Sequence, residues 1–538
     1  LAPLLEAAPD DRATTLALAR AQAAADDGAA AVATLERYAA IDPNDPAVWF
    51  ALGREAVRSG DAQRGVDDYL VRAQVAYTRL RDARGQADVA NALGVGYERL
   101  GQLDAAREQF ERAASARIAA GDARGAAASL RNLAWVDAVR GEFAAAAAAS
   151  RRARALLEPL GDDAAMASLV NDEGLIAEQR GDFREALARY REALALRQPL
   201  GNAALTAESL NNVGYAYIQS GEFDNARVFL DQARAAYQRL DDAPGIVRTG
   251  QSLAQAATHE GRWPQARAAL EETLALAERH QMLEERAVSL AYLAELDRLE
   301  GRIADALGRI DAAQPLFAQR NDARGLAELA LMRAAVLAAI GAGAEAEAAL
   351  APLASAAPPN REQQALLAVR QAGLALARDD HARALELARA ARKAAVESHS
   401  LPVELEARLA EAEALAGAGG DDARSALAQV EAALERFPSH ALGLEHARVA
   451  LALAPAPGVA KAYADAVERL AATPDYVGAG AIHALAARRL ADAGDTVGAA
   501  RAQALARAAR ARLRVAAPPG LRAALDRSNE TAAPEDSR

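Results

Sequence analysis

The sequence predicts an all-α protein, a linear array of antiparallel helix hairpins. Three features carry this reading. Apolar residues make up 52% of the 538 positions but aromatics only 4%. Alanine, the strongest intrinsic helix former, is by far the commonest residue, and β-branched and aromatic strand formers are sparse. No apolar run approaches the roughly 20 residues a membrane span requires. The third feature is a repeat with a fixed period.

A glycine recurs at Gly60, Gly101, Gly141, Gly181, Gly221, Gly261, Gly301 and Gly341, in steps of 41 once and 40 thereafter, followed in all but the last by a polar and then an apolar residue. Before each lies a small residue: Gly53, Gly94, Ala134, Gly174, Gly214, Ala254, Ala294 and Ala334. After each lies another: Gly65, Ala106, Ala146, Ala186, Ala226, Ala266, Ala306 and Ala346. Three registers held together over this length define a repeat array.

Each repeat reads as two helices. Along Asn211–Gly221, apolar residues recur at helical spacing until the glycine supplies the left-handed conformation that ends a helix. Glu222-Phe223-Asp224 opens the second helix, its acids placed near the positive helix end. An apolar anchor follows each glycine, as Leu103, Phe143, Phe183, Phe223, Trp263 and Ile303. The paired small residues predict a close approach of the two helices. Second helices end with their own punctuation. Gly121, Gly161 and Gly201 are spaced by 40, and Asp82-Ala-Arg-Gly85, Asp122-Ala-Arg-Gly125, Asp242-Ala-Pro-Gly245 and Asp322-Ala-Arg-Gly325 link repeats.

Leu93-Gly94, Tyr97, Gly101, Ala106 and Phe110 follow one another in an order that resembles the tetratricopeptide repeat family. The resemblance covers residues 46–355 and, more weakly, the rest. The ordinary repeat has about 34 residues, so the longer period is similar to that of kinesin light chains, Pins-type scaffolds, bacterial Rap regulators and MalT-like regulators. It implies a right-handed superhelical solenoid with first helices on the concave face.

The expected organisation is a short first repeat over 1–45, the regular array over 46–355, and a break at 356–360 in Ala357-Pro358-Pro359-Asn360. Residues 361–525 are either degenerate repeats or a separate C-terminal helical domain, with turns at Gly417–Gly420, Phe437-Pro438, Pro455–Gly458 and Ala493-Gly494-Asp495. A disordered polar tail is expected over 526–538.

Composition excludes several functions. With 62 Lys+Arg against 74 Asp+Glu the formal charge is −12, without the basic footprint nucleic-acid binding needs. There is no cysteine, which removes thiol nucleophiles, disulfides and cysteine-ligated metals. The two lysines, Lys393 and Lys461, do not follow a glycine, so no phosphate loop is present. Gly94-Val95-Gly96 lacks the third glycine of a dinucleotide loop, and Gly250-Gln251-Ser252-Leu253-Ala254 misses the nucleophile elbow; both fall inside helices. The seven histidines lie mostly in different repeats and read as turn residues. No enzymatic activity and no cofactor are expected.

The candidate surface lies on the first helices. Successive repeats place Asn91, Arg131, Asn171, Asn211 and Gln251 at one register position, four amides and a guanidinium. An amide both donates and accepts, so a row of them suits an extended backbone. Trp135 and Tyr215 flank the row as anchors. The family resemblance implies this role for Asn91, Asn171 and Asn211; Arg131 suggests an acidic contact, and Gln251 departs from the pattern. The alternative is that these amides only set repeat spacing. The leading expectation is a protein- or peptide-binding scaffold, cytoplasmic and not inserted in a membrane. The alternative is the sensor domain of a larger bacterial signalling protein (kinase, winged-helix regulator or cyclase), periplasmic if fused to an upstream membrane segment. Residue 1 is Leu and no leader-like stretch follows, which favours a longer parent chain. The alanine-rich terminal repeats either cap the core or pair two copies in a homodimer.

Overall fold

The computed structural model describes residues 10–25, 27–356, 358, 360–419 and 422–525. The tail read over 526–538 lies outside them, as do residues 1–9, Ala357, Pro359 and Gly420. Every extended element among the described residues is a helix, and no described helix is long and apolar enough to cross a membrane.

The 40-residue rhythm becomes hairpins. First helices run Ala83–Arg99, Ala123–Val139, Asp163–Gln179, Ala203–Gln219, Ala243–His259, Leu283–Leu299 and Ala323–Ala339, each of 17 residues. The paired second helices begin at the anchors Leu103, Phe143, Phe183, Phe223, Trp263 and Ile303. In the second and third of these, Pro159 and Pro199 turn the last residues into 3-10 helix.

The turns follow from backbone chemistry. All eight repeat glycines have positive φ, between 69° and 99°. At Gly221 its N–H donates to Ile218 O (3.0 Å) and the Glu222 N–H to Tyr217 O (2.9 Å), a double bond pattern that satisfies the end of the helix. The second helices also end left-handed, with glycine at 121, 161 and 201 but Arg81, Asp241, Gln281 and Asn321 at the equivalent places. The next residue then caps the following helix. Asp82, Asp122, Asp242 and Asp322 each accept the N–H of the glycine three residues on, at 2.8–2.9 Å. Three of those glycines lie under an aromatic ring: a Cβ at Gly85, Gly245 or Gly325 would stand 2.2–2.3 Å from Tyr77, Tyr237 or Phe317.

Hairpin packing accounts for the small residues. A Cβ on Gly94 would lie 2.6 Å from Phe110, on Gly174 2.5 Å from Tyr190, and on Gly214 2.5 Å from Leu230. Ala106, Ala186, Ala226, Ala266 and Ala306 are wholly buried in the facing helices. Consecutive hairpins are tied by buried ion pairs. Asp297, fully buried, accepts from Arg267 and Arg309 at 2.6 Å each.

The chain divides into two compact units after Gly201. In the first, a core built on Phe110, Leu130, Leu133 and Leu157 joins neighbouring hairpins. In the second, one core runs from Ala254 to Leu525. Past the regular array, helices Arg361–Leu376 and His381–Glu397, Leu401–Gly417 and Asp422–Leu434, His440–Leu453 and Val459–Leu470, and Ala479–Asp492 and Thr496–Ala516 form four further pairs. The first of these pack mainly through alanines such as Ala365, Ala391, Ala395 and Ala407.

A leucine at position 214 would have no room against Leu230. Gly214→Leu is expected to lower stability by about 1–3 kcal/mol through overcrowding, read as a lower urea midpoint; an unchanged midpoint would disprove the tight contact.

Candidate functional site

Within each unit, first helices of successive repeats pack against one another, while second helices pack on their own partner and on the next first helix. The first helices therefore line the tighter, inner side. The seven residues singled out from the sequence all sit on them.

Their amides face the neighbouring repeat. Asn91 Oδ1 accepts from Ser129 Oγ at 3.0 Å and from Asn132 Nδ2 at 3.3 Å. Asn211 Oδ1 accepts from Thr249 Oγ1 at 3.0 Å. Gln251 reverses the polarity, its Nε2 donating to Ser289 Oγ and Glu285 O, both at 2.9 Å. The hydroxyls of Ser129, Thr249 and Ser289 are all 0% exposed. An amide of one repeat thus clasps a buried hydroxyl of the next, always to the same register position. Sequence reading passed over these hydroxyls, although Ser129, Ser209, Thr249 and Ser289 recur in phase and carry the signal.

The seven residues differ in depth. Asn171 and Gln251 are buried, at 3% and 6% exposure, and do not present their amides at the surface; Asn171 Oδ1 lies 3.5 Å from Arg197 of its own hairpin. Asn91, Arg131, Trp135, Asn211 and Tyr215 are half-buried. The Nδ2 groups of Asn91 and Asn211 donate to none of the described residues. Arg131 already has its acidic contact, Asp172 of the next repeat at 2.6 Å. Trp135 donates from Nε1 to Glu98 Oε1 at 2.9 Å. Burial pushes the Glu98 carboxyl above its ordinary value, outweighing the Trp135 hydrogen bond and the charge of Arg99. Among the described residues no group of three or more His, Asp or Glu is placed to hold a metal ion.

Two tetratricopeptide-repeat family models match this sequence, one over residues 162–239 and 205–279 and another over 4–55. Over residues 4–55 and 162–279 the chain matches tetratricopeptide repeats. No curated protein matches the chain. Among solved structures, the chain is similar to a Rap protein complexed with competence and sporulation factor, at 11% identity and TM-score 0.51, covering 65% of this chain and 99% of that one. BtubC (BKLC) from P. vanneervenii is 23% identical with TM-score 0.35, over 42% of this chain and 92% of that one. The apo form of the quorum sensor NprR from B. thuringiensis is 16% identical with TM-score 0.42, over 57% and 86%. The likeness to the Rap protein is one of fold. In the first unit the first helices carry the half-buried Asn91 amide, the Trp135 indole and the Glu98 carboxyl of raised basicity, and in the second unit the half-buried Asn211 amide.

Two measurements check this geometry. Thr249→Val keeps the shape but removes the donor to Asn211, and should cost about 1 kcal/mol; an unchanged denaturation midpoint would show the clasp to be idle. Trp135 emission should titrate with a midpoint above the ordinary 4.5 of a glutamate, and Glu98→Gln should abolish the transition. Because the folded chain holds that proton more tightly than the unfolded chain, this carboxyl favours the fold as pH falls through its midpoint.

Proposed function

We propose that the chain is a non-enzymatic scaffold that holds an extended protein or peptide segment against its first helices. The half-exposed asparagines carry the reading. Asn91 and Asn211 spend their carbonyl oxygens on the next repeat, which fixes the side chains, and leave their Nδ2 groups as oriented donors. Donors held in this way suit the carbonyls of a peptide backbone, independent of its side chains. Trp135 and Tyr215 supply rigid area beside them. The Arg131–Asp172 pair offers both signs of charge at one point. Asn171 and Gln251, being buried, contribute to repeat spacing.

A regulatory role in a larger signalling protein is the second reading. The Rap protein that shares this fold was solved in complex with competence and sporulation factor, and a pre-formed array that grips a segment is a suitable sensor. The chain's length and helical stacking fit a scaffold in either setting.

The test is selection of peptides from a random displayed library on the immobilised full chain, followed by titration of the enriched peptides. Trp135→Ala and Tyr215→Ala should each weaken binding about tenfold or more, and Asn91→Ala with Asn211→Ala should add to the loss. Peptides that bind the fourfold variant as tightly as the parent would overturn the assignment.

A further inference from the structure

The second unit covers three of its own turns. A Cβ at Gly221 would meet Arg436 O at 2.4 Å and Phe437 Cα at 2.9 Å; at Gly261, the His440 ring at 2.6 Å; at Gly301, Leu513 at 2.8 Å. The equivalent Gly101 and Gly141 of the first unit have nothing within 4 Å. The apolar anchors respond. Phe223, Trp263 and Ile303 are 5%, 2% and 0% exposed, whereas Leu103 and Phe143 are only half-buried.

The cover is aromatic. Phe437 meets Phe223 edge-on at 5.5 Å and His259 edge-on at 5.0 Å, while Phe223 and His259 stack at 5.3 Å. Trp263 receives His440 at 6.0 Å and Tyr476 at 6.1 Å. One backbone hydrogen bond crosses the contact, Val477 N–H to Leu299 O at 2.8 Å. Phe437 therefore lies over the last turn of the first helix Ala243–His259, on the helix that also carries Gln251 and Gln255.

The His259 ring, between Phe223 and Phe437, makes no hydrogen bond among the described residues. Such a group costs free energy while the contact is closed and regains water when it opens. An interface of that composition is weaker than its aromatic area suggests.

We propose that residues 437–525 act as a strap that closes over the hairpin turns of the repeats spanning 203–319 and can be released without unfolding the unit. Release exposes Phe223, His259 and Trp263 together, an aromatic surface at the hairpin turns. Acid favours release. Burial holds the His259 imidazole down to about 4, against which the nearby Glu295 carboxylate acts only weakly. His440 is lowered by burial and then by Arg469, with its Nε2 on Thr473 Oγ1 at 2.8 Å. Both rings are neutral in the closed form. Once open they take protons near the ordinary histidine value of 6.5, so closure is favoured above that value and lost as pH falls from there towards about 4.

Hydrogen exchange on the full chain, without any ligand, tests the strap. At neutral pH the Val477 amide should be protected. Phe437→Ala, and Gly221→Ala through its clash with Arg436, should each lower that protection about tenfold or more. Gly141→Ala carries the same left-handed strain with open space around it and should leave Val477 unchanged. Lowering the pH to about 5 should act on the parent as the strap variants do, with amides of Leu283–Leu299 still protected. If Val477 exchanges in step with the amides of Leu283–Leu299 in every variant and at every pH, the segment opens only on unfolding and the strap is refuted. Unaltered Val477 protection in both strap variants refutes it equally.

Discussion

The array depends on how closely two helices of a hairpin can approach. At Gly94, Gly174 and Gly214 the space a Cβ would occupy already belongs to Phe110, Tyr190 and Leu230. One helix gives up its side chain so that the other can bury a large one. Where the first helix carries Ala134, the matching place in its partner holds the small Ser150, also buried. This exchange of volume fixes the axial position of one helix against the other to within a residue. A slip would bring a side chain into a place that holds none. The left-handed glycine that closes the turn and the anchor two residues later then have a single arrangement open to them.

Between hairpins the selecting interactions are polar. Fully buried hydroxyls at 129, 249 and 289 need partners, and the amides of the preceding repeat provide them. Asp297 needs its charge balanced, and two arginines from second helices on either side do so. Buried polar groups of this kind add little net stability but penalise every rotation that leaves one unpaired. They therefore set the angle between repeats, which apolar alanine contacts alone would leave loose. The same requirement explains the mixed character of the inner face, where an asparagine is half fold and half surface.

Much of this was legible in the sequence because it is local or strictly periodic. The turn glycines, the anchors and the small residues at the hairpin contact all repeat in phase, and the structure gives them the conformations that their chemistry requires. Other features were hidden for specific reasons. Arg81, Asp241, Gln281 and Asn321 take the left-handed conformation without the glycine that announces it, followed by the capping Asp82, Asp242 and Asp322 in three cases and by Met282 in the fourth. Periodicity told which helix carries Asn171 and Gln251 but not how deeply a neighbouring hairpin would cover them. The acidic contact suggested for Arg131 exists, yet it is Asp172 of the chain itself. His259 and His440 are far apart in the sequence and read as turn residues of unrelated repeats; only the return of the C-terminal helices brings them onto neighbouring aromatic rings.

That return shows how one motif takes on different physical roles. The turn at Gly141 and the turn at Gly221 are written alike, a left-handed glycine, an acid and a phenylalanine. At Gly141 the glycine is needed for its backbone angle alone, since open space surrounds it. At Gly221 it is needed twice, for the angle and for the Arg436 carbonyl that occupies the place of a side chain. The phenylalanine that follows is a half-exposed anchor in the first case and part of a buried aromatic cluster in the second. Aromatic residues are scarce in this chain, and the second unit uses several of them where its ends meet. A contact that only capped the array could have been made with the leucines and alanines used elsewhere. Placing uncharged imidazoles there ties the closed state to proton concentration, a dependence that an alanine contact does not have.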